Sequence, residues 1–316
     1  MKKYNFIQKI LHDLLLGNNF LKKTCFEFEK LFFSRKKFEI DDRQHLFITG
    51  LPRCGTTILL NFFFKTQQFG SLTYEDLPFL MAPNLYSKFR SKQMRIDSIN
   101  RLHNDGIEMN LKSPEAFDEV FFSTFEDQEI IDELNNYIKL ILINKKKKRY
   151  LSKNNLNFKR INLISQILPS SKFLIAIREP LQHCYSLLKQ HNNFLTLQSK
   201  DSFMRRYMKY LCHNEFGMDH RSWFNSKDYK DCNEINYWLE QWLFFYENIL
   251  KKFNQHKNCI IIKYENLEKL DYINKVIKQL DLKEIKENYF KVKQYQIDLK
   301  YDEKLLAKCN EIYELI

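Results

Sequence analysis

The sequence predicts an α/β fold, a three-layer sandwich in which helices flank a central parallel sheet. Helical patterns alternate along the chain with short apolar runs, as is typical of this class. Three such runs have the length and composition of strands buried on both faces: residues 45–49 (HLFIT), 172–177 (KFLIAI) and 258–263 (NCIIIK). We expect one domain over residues 1–316, with a helix in 1–40 and the segment 268–316 at its periphery.

Two further elements complete the predicted core. Residues 149–152 (RYLS) form a weaker candidate strand, followed by polar residues at the sheet edge where ligands bind in open α/β sheets. Residues 236–253 are predicted to be a helix that buries one face, and the alternative is a stacking platform for bases. The helical spacing is that of Trp238, Trp242, Phe245 and Ile249.

The composition excludes several classes of protein. A chain with 44% hydrophobic and 15% aromatic residues is not disordered, and 6 Gly and 6 Pro exclude a collagen-like architecture. The net charge of +12 favours a polyanionic ligand, an acidic membrane surface or nucleic acid, without choosing among them. The 7 cysteines are widely spaced, so we expect neither a disulfide framework nor a CxxC pair that binds a metal or acts in redox chemistry. We therefore expect the protein in the reducing cytoplasm.

Two charged or amphipathic segments have a plain and a sharper interpretation. Residues 1–17 predict an amphipathic helix, since no apolar run reaches the roughly 18 residues of a membrane span. The alternative is a peripheral membrane anchor built from Phe6, Ile7, Ile10, Leu11 and Leu14. The run 145–149 (KKKKR) predicts a solvated charged surface, and the alternative is a contact with an acidic surface.

The most informative segment is residues 47–60 (FITGLPRCGTTILL), which predicts a strand, a loop bracketed by glycines and a helix. Gly50 and Gly55 allow backbone N–H groups to converge on an anion, and the following helix N-terminus adds about half a positive charge. Arg53 supplies a full charge inside the loop. The segment therefore predicts a P-loop-like cradle for a phosphate group.

This loop differs from that of nucleoside-triphosphate enzymes. Their pattern has lysine directly after the second glycine, where this chain has Thr56, and the cation stands instead at Arg53. The predicted strand ends also lack the aspartate that holds Mg²⁺ in such enzymes. The loop thus suits an anion that needs no metal, such as a phosphosulfate. The alternative is an ordinary glycine turn before a packing helix.

A second segment, residues 175–186 (IAIREPLQHCYS), also predicts a strand followed by a helix, with Pro180 in the first turn. Arg178 then emerges at the end of the strand, and Ser186 lies within two turns of the helix. A guanidinium and a hydroxyl suit a second phosphate. Taken alone, the motif is weak, because Arg178 can equally pair with an acid such as Glu179.

Together the two segments resemble the sulfotransferases that use 3′-phosphoadenosine-5′-phosphosulfate (PAPS). Residues 50–57 (GLPRCGTT) are similar to the family's 5′-phosphosulfate loop, and Arg178 with Ser186 is similar to its 3′-phosphate motif. Arginine at position 53 resembles the tyrosylprotein and bacterial branches. An uncharacterised bacterial subgroup is also similar over residues 72–86, 105–121, 150–160 and 190–198.

The resemblance covers most of the chain from Leu46 to about Leu267. It implies that a sulfuryl group is transferred from PAPS, without a metal, to a hydroxyl or an amine of an unidentified acceptor. It places the nucleotide on Arg53, Cys54, Gly55, Thr56, Thr57, Arg178, Ser186 and Tyr264. Lys153 resembles the lysine that stabilises the leaving group, and the alternative is one more surface lysine. For Tyr264, core packing is the alternative.

Several residues are candidates for the general base. Glu75 is near the position of the catalytic glutamate in the tyrosylprotein branch, and Asp76 competes with it, because the bacterial subgroup often has arginine before that aspartate. The alternative is that both acids cap a helix. His103, Asp105 and Glu115 are further candidates, and the alternative for each is a capping or surface role. We expect Glu115 on a helix that Pro114 opens and Ser113 caps.

The acceptor is not specified by any motif, so glycan, lipid and small metabolite stay open. Its pocket is expected to come from the excursions 77–101 and 194–230. The competing functions are a P-loop kinase, against which Thr56 argues, and a basic protein that binds anions or nucleic acid. We expect no nucleic-acid partner, and the oligomeric state stays open.

Overall fold

A computed structural model describes residues 5–41, 45–90, 99–100, 108–253 and 256–316. Its centre is a five-stranded, all-parallel sheet in the order β2-β5-β1-β6-β7. The strands are β1 (Leu46–Thr49), β2 (Phe69–Gly70), β5 (Arg149–Lys153), β6 (Lys172–Ile177) and β7 (Cys259–Lys263), and β3 (Ile99–Asn100) pairs antiparallel with β4 (Glu108–Met109). The three strands predicted from apolar runs and the weaker candidate at 149–152 are all confirmed.

Helices surround the sheet, and the predicted helix over 236–253 is confirmed as α10 with its aromatic face buried. The helices are α1 (Phe6–Leu15), α2 (Asn19–Phe33), α3 (Thr56–Lys65), α4 (Pro83–Phe89), α5 (Glu119–Phe122), α6 (Asp127–Lys145), α7 (Asn157–Ile167), α8 (Pro180–Lys200), α9 (Ser202–Tyr210), α10 (Ile235–Phe253), α11 (Leu270–Gln279) and α12 (Glu303–Leu315). Two 3₁₀ turns span Tyr74–Asp76 and Tyr264–Asn266.

The alternation of side chains along the strands produces the predicted three layers. On one face of the sheet, Phe47 stacks on Phe173 with ring centroids 5.5 Å apart, in the core that also contains the tryptophans of α10. On the other face, Ile48 and Leu174 pack with α3 and α11. Because both faces are covered, β1, β6 and β7 are mostly apolar, as the sequence indicated.

The N-terminal region differs from the single helix expected in 1–40. The chain forms α1 and α2, because Asn18 begins a second helix by accepting a hydrogen bond from Leu21 N at 3.2 Å. The five apolar residues proposed as an anchor are exposed on α1, with Phe6 77% exposed. Among the described helices, none is both long enough and apolar enough to cross a membrane.

The prediction of a fully solvated charge run at 145–149 is wrong at its two ends. Lys145, the last residue of α6, lies 2.6 Å from Asp76 Oδ2. Arg149, the first residue of β5, is buried, and its Nη2 donates to Leu280 O at 2.9 Å. The run joins α6 to β5, so Lys145 and Arg149 at its two ends belong to packed elements. Lys146 and Lys148 between them are exposed.

Candidate active site

The glycine-bracketed loop connects β1 to α3, and its glycines are required by their surroundings. Gly50 has φ 142°, and a Cβ there would lie 2.6 Å from the carbonyl oxygen of Ala176. Gly55 has φ 96°, and a Cβ there would lie 2.7 Å from Cδ2 of Tyr264. Between them, burial raises the pKa of the Cys54 thiol to about 12, so this side chain packs rather than reacts.

Arg53 joins the two segments that the sequence predicts as phosphate sites. Its backbone is left-handed at φ 73°, which is uncommon for a residue with a side chain. Its Nε donates to Ser186 Oγ at 3.3 Å, and Nη1 of Arg178 donates to the Arg53 carbonyl oxygen at 3.3 Å. The segments meet because β1 and β6 are parallel neighbours whose carboxyl ends share one edge.

Arg178 is 3% exposed and lies among aromatic rings at the end of β6. Its guanidinium carbon is 4.6 Å from the Tyr264 ring centroid and 5.5 Å from that of Tyr295. Its Nη2 donates to Lys293 O, and within the described residues its buried Nε has no hydrogen-bond partner. Glu179 instead caps α8, accepting from Leu181 N and Gln182 N.

The C-terminal segment adds two residues that sequence reasoning missed. Lys293 N donates to Tyr264 Oη at 2.9 Å, and Tyr295 N donates to Gln182 Oε1 at 2.7 Å. Burial acts to raise the pKa of Tyr295, but a hydrogen bond with Ser186 and the charges of Arg53, Lys293 and Arg178 outweigh it and lower that pKa. Three cations therefore lie at this edge of the sheet, and they favour a bound anion.

Lys153 and Glu115 form the second charged group of the site. Lys153 ends β5, the strand beside β1, and its Nζ lies 3.9 Å from Glu115 Oε1. Both residues are buried, and Tyr74 Oη donates to Glu115 Oε2 at 3.0 Å. A lysine and a carboxylate are thus placed side by side next to the phosphate loop.

The helix expected around Glu115 is wrong. Helix α5 begins only at Glu119, and the preceding residues run alongside the 3₁₀ turn that contains Tyr74. Pro114 bridges to Thr73, and Glu75 N donates to Leu111 O at 2.7 Å. Tyr74 N also donates to Ser113 O at 3.2 Å, so the carbonyl group with which a helix capped by Ser113 would begin is already taken.

Glu75 and Asp76 lie in ion pairs at a different place. Asp76 Oδ2 accepts from Thr73 N at 2.8 Å and lies 2.6 Å from Lys145 Nζ, which agrees with the capping interpretation. Glu75 Oε2 lies 3.1 Å from Arg90 Nη2. Their assignment as base stays a prediction, and His103 and Asp105 lie outside the described residues.

A cavity of about 110 Å³ opens beside Lys153, between the sheet edge and helices α8 and α9. The described residues that line it include neither Glu75 nor Asp76, and its far side comes from the predicted excursion 194–230. The lining consists of Pro52, Arg53, Thr56, Thr57, Tyr74, Met109, Glu115, Phe117, Lys153, Asn155, Phe194, Met204, Tyr207, Met208, Leu211, His213, Glu215 and Phe216.

A second carboxylate in this cavity, Glu215, was also missed by sequence reasoning. It accepts from Asn155 Nδ2 at 3.2 Å and lies 3.7 Å from His213 Nδ1. Burial acts to raise the pKa of Glu215, but His213 and the charge of Lys153 outweigh it and lower that pKa. In the described part of the chain, no group of three or more His, Cys, Asp or Glu side chains is arranged to hold a metal ion.

Comparison with known proteins identifies the class that this fold and site define. The model of the Sulfotransferase family matches residues 45–283, which is most of the chain, so the protein belongs to the sulfotransferase family. It is a transferase that moves sulfuryl groups, as the two motifs indicated. PAPS is the general donor in this family.

Solved structures of bacterial sulfotransferases are similar to the chain at low sequence identity. STF1 from Mycobacterium tuberculosis is 12% identical, with a TM-score of 0.49 over 88% of this chain and 78% of that one. STF9 from Mycobacterium avium is 10% identical, with a TM-score of 0.49 over 100% and 79%. A sulfotransferase from Alicyclobacillus acidocaldarius is 10% identical, with a TM-score of 0.43 over 86% and 95%. No curated protein matches the sequence significantly.

Proposed function

We propose that the chain transfers the sulfuryl group of PAPS to the hydroxyl of a small-molecule acceptor. The loop from Arg53 to Thr57 holds the 5′-phosphosulfate, and Arg178 with Ser186 holds the 3′-phosphate. The observation that carries this proposal is the pair of 3.3 Å contacts that join Arg53 to Ser186 and to Arg178. They bring two cationic motifs, distant in sequence, to one edge of the sheet.

The nucleotide itself is held by residues from three separate segments. The Tyr264 ring packs against Gly55, and Lys293 and Tyr295 close over Arg178 from the C-terminal segment. An arginine fork and backbone N–H groups are the donors that phosphates prefer. The Nε of Arg178, which has no hydrogen-bond partner among the described residues, supplies a further donor for the 3′-phosphate.

Lys153 is proposed to stabilise the negative charge that develops on the 5′-phosphate as it departs. An ammonium group is a compact point charge, so it serves a transition state whose charge is spread over several oxygens. Lys153 is buried beside the loop, where a low effective dielectric strengthens its effect.

Glu115 is proposed as the general base. Its carboxylate lines the cavity and lies 3.9 Å from Lys153, so it can reach the acceptor hydroxyl next to the leaving group. Glu75 and Asp76 are instead neutralised by Lys145 and Arg90. Glu215 is the competing carboxylate in the cavity; Glu115 is preferred because it is the one that forms an ion pair with Lys153.

Calorimetric titration with 3′,5′-adenosine bisphosphate tests the donor site. Loss of a charge-assisted hydrogen bond costs roughly 1.5–3 kcal/mol, so Arg53→Ala and Arg178→Ala are each expected to weaken binding roughly 10- to 150-fold. Arg206→Ala, an exposed arginine of α9 paired with Asp13, is the matched control and should bind as the wild type does. Unchanged affinity in both site variants contradicts the proposal, and Mg²⁺-dependent ATP turnover favours a kinase instead.

A further inference from the structure

The two ends of the cavity beside Lys153 differ in chemistry. At the sheet edge it is lined by the charged and hydroxyl groups of Arg53, Thr56, Thr57, Lys153 and Glu115. At the opposite end it is lined by thioether, aliphatic and aromatic side chains from α8, α9 and the residues that follow: Phe194, Met204, Tyr207, Met208, Leu211 and Phe216. An acceptor that enters must fit both ends at once.

The apolar end is one continuous helical face. Met204, Tyr207, Met208 and Leu211 recur at the spacing that places side chains on the same side of a helix. Helix α1 covers another side of α9, where the His12 ring lies 6.1 Å from that of Phe203. On the inner side, Met208 Sδ accepts from Gln198 Nε2 of α8 at 3.2 Å. The face is therefore held in position by helices on both sides.

This end offers little to a charged or many-hydroxyl compound. Among the described lining residues, the lysines and arginines are Arg53 and Lys153 only, both at the sheet edge. Among the polar residues that line the cavity, Asn155 and His213 each contact Glu215. Each hydroxyl of a sugar placed against Met204 or Met208 would lose its hydrogen bonds to water without replacement.

We infer that the acceptor is an uncharged alcohol or phenol whose apolar body lies against α9 and whose hydroxyl lies between Lys153 and Glu115. This inference rests on the proposed sulfuryl transfer. The acceptor oxygen forms a bond to sulfur while the bond from sulfur to the 5′-phosphate oxygen breaks. That electron pair goes to the phosphate oxygen beside Lys153, and the hydroxyl proton goes to Glu115.

A chain-length series tests this inference. The protein is saturated with ³⁵S-labelled PAPS, and kcat/KM is measured for straight-chain alcohols from 1-butanol to 1-octanol and for glucose. Burial of one methylene is expected to raise kcat/KM roughly fourfold, up to the length at which the cavity is filled. Glucose is expected to react at least roughly 100-fold more slowly than 1-hexanol, because its hydroxyls find no partners at the apolar end.

Variants of α9 test whether the dependence on chain length arises from contact with this helix. Met204→Gln and Met208→Gln are expected to reduce kcat/KM for 1-hexanol roughly tenfold and to flatten the dependence on chain length, with the affinity for 3′,5′-adenosine bisphosphate unchanged. Met208→Leu should keep the wild-type slope, since it preserves the apolar surface. Lys209→Gln, an exposed neighbour on the same helix, is the matched control.

The outcomes separate the inference from the proposed function. If the bisphosphate binds to the wild type but glucose is labelled as fast as the alcohols, or no alcohol is labelled, the inference is overturned and the donor site stands. If the bisphosphate does not bind, the proposed function itself fails. If kcat/KM depends on alcohol chain length in Met204→Gln and Met208→Gln as it does in the wild type, the inference is also overturned.

Discussion

The proposed donor side and the proposed acceptor side of the site are built in different ways. The donor side consists of loops fixed to the ends of neighbouring parallel strands, where Gly50 and Gly55 admit no other residue without a collision. The acceptor side consists of helical side chains such as Met204 and Met208, which lie outside the sheet. One side depends on the path of the backbone, and the other depends on which side chains a helix presents.

This difference explains which part of the site can be predicted from a sequence motif. Backbone donors at a helix N-terminus require glycine and a fixed spacing, so they leave a pattern that is visible without a structure. An apolar helix face has the same pattern whether it packs in a core or lines a pocket. The two sides meet at Lys153 and Glu115.

The largest effect is expected at this meeting point. Glu115→Gln removes the proposed base, so turnover should fall roughly 10²- to 10⁴-fold, while the affinity for 3′,5′-adenosine bisphosphate stays close to that of the wild type. Steady-state kinetics and calorimetry on one preparation measure both quantities. Glu215→Gln, the other carboxylate of the cavity, is the control for local charge. Turnover near that of the wild type would return the role of base to Glu75 or Asp76.

A smaller effect, on stability, is expected at the ion pairs of Glu75 and Asp76. Lys145→Met leaves the buried Asp76 carboxylate without its cation, so the free energy of unfolding should fall by about 3–5 kcal/mol in urea titrations. Lys148→Met removes a surface ion pair to Glu39 and should cost at most about 1 kcal/mol. Equal losses in the two variants would show that Lys145 is not a structural cation, and would sharpen the case for chemistry at Glu75.

A pH effect is expected where α8 supports the donor loop. His183 Nε2 lies 2.8 Å from the carbonyl oxygen of Pro52, and burial lowers the pKa of this histidine to about 3. Below pH 6.5 the unfolded chain takes up a proton that the folded chain refuses, so His183 costs stability as the pH falls towards 3. At pH 5 the loss is about 2 kcal/mol relative to pH 7.

Urea unfolding at pH 7 and pH 5 measures this loss. In His183→Gln the contribution of this side chain should disappear, so the variant should lose about 2 kcal/mol less than the wild type between the two values. If the wild type and the variant lose the same free energy of unfolding between pH 7 and pH 5, His183 takes up its proton in the folded state. The ring that contacts Pro52 would then be charged rather than neutral.

Much of the fold and of the donor side could be predicted from the sequence. The apolar runs predicted the strands because each is buried on both faces, and the Gly50–Gly55 loop and Arg178 follow strands whose carboxyl ends meet at one edge. Arg53 and Ser186 are close because β1 and β6 pair in parallel. The sequence motifs agree with this proximity but do not specify it.

The rest depended on contacts between distant segments. Glu115 was expected on a helix, but pairing with residues 73–75 holds it in an irregular segment beside Lys153. Lys293 and Tyr295 carry no motif, because their placement over Arg178 results from the path of a segment without helix or strand. Lys145 belongs to a run of similar residues, and only the end of α6 selects it as the partner of Asp76.

A crystal structure with 3′,5′-adenosine bisphosphate would test directly whether the two motifs, distant in sequence, form one nucleotide site. We expect the 5′-phosphate on the backbone of residues 53–57, the 3′-phosphate between Arg178 and Ser186, and Lys153 at the end that faces the cavity. A nucleotide bound elsewhere, or bound with its 3′-phosphate away from Arg178, would contradict the account.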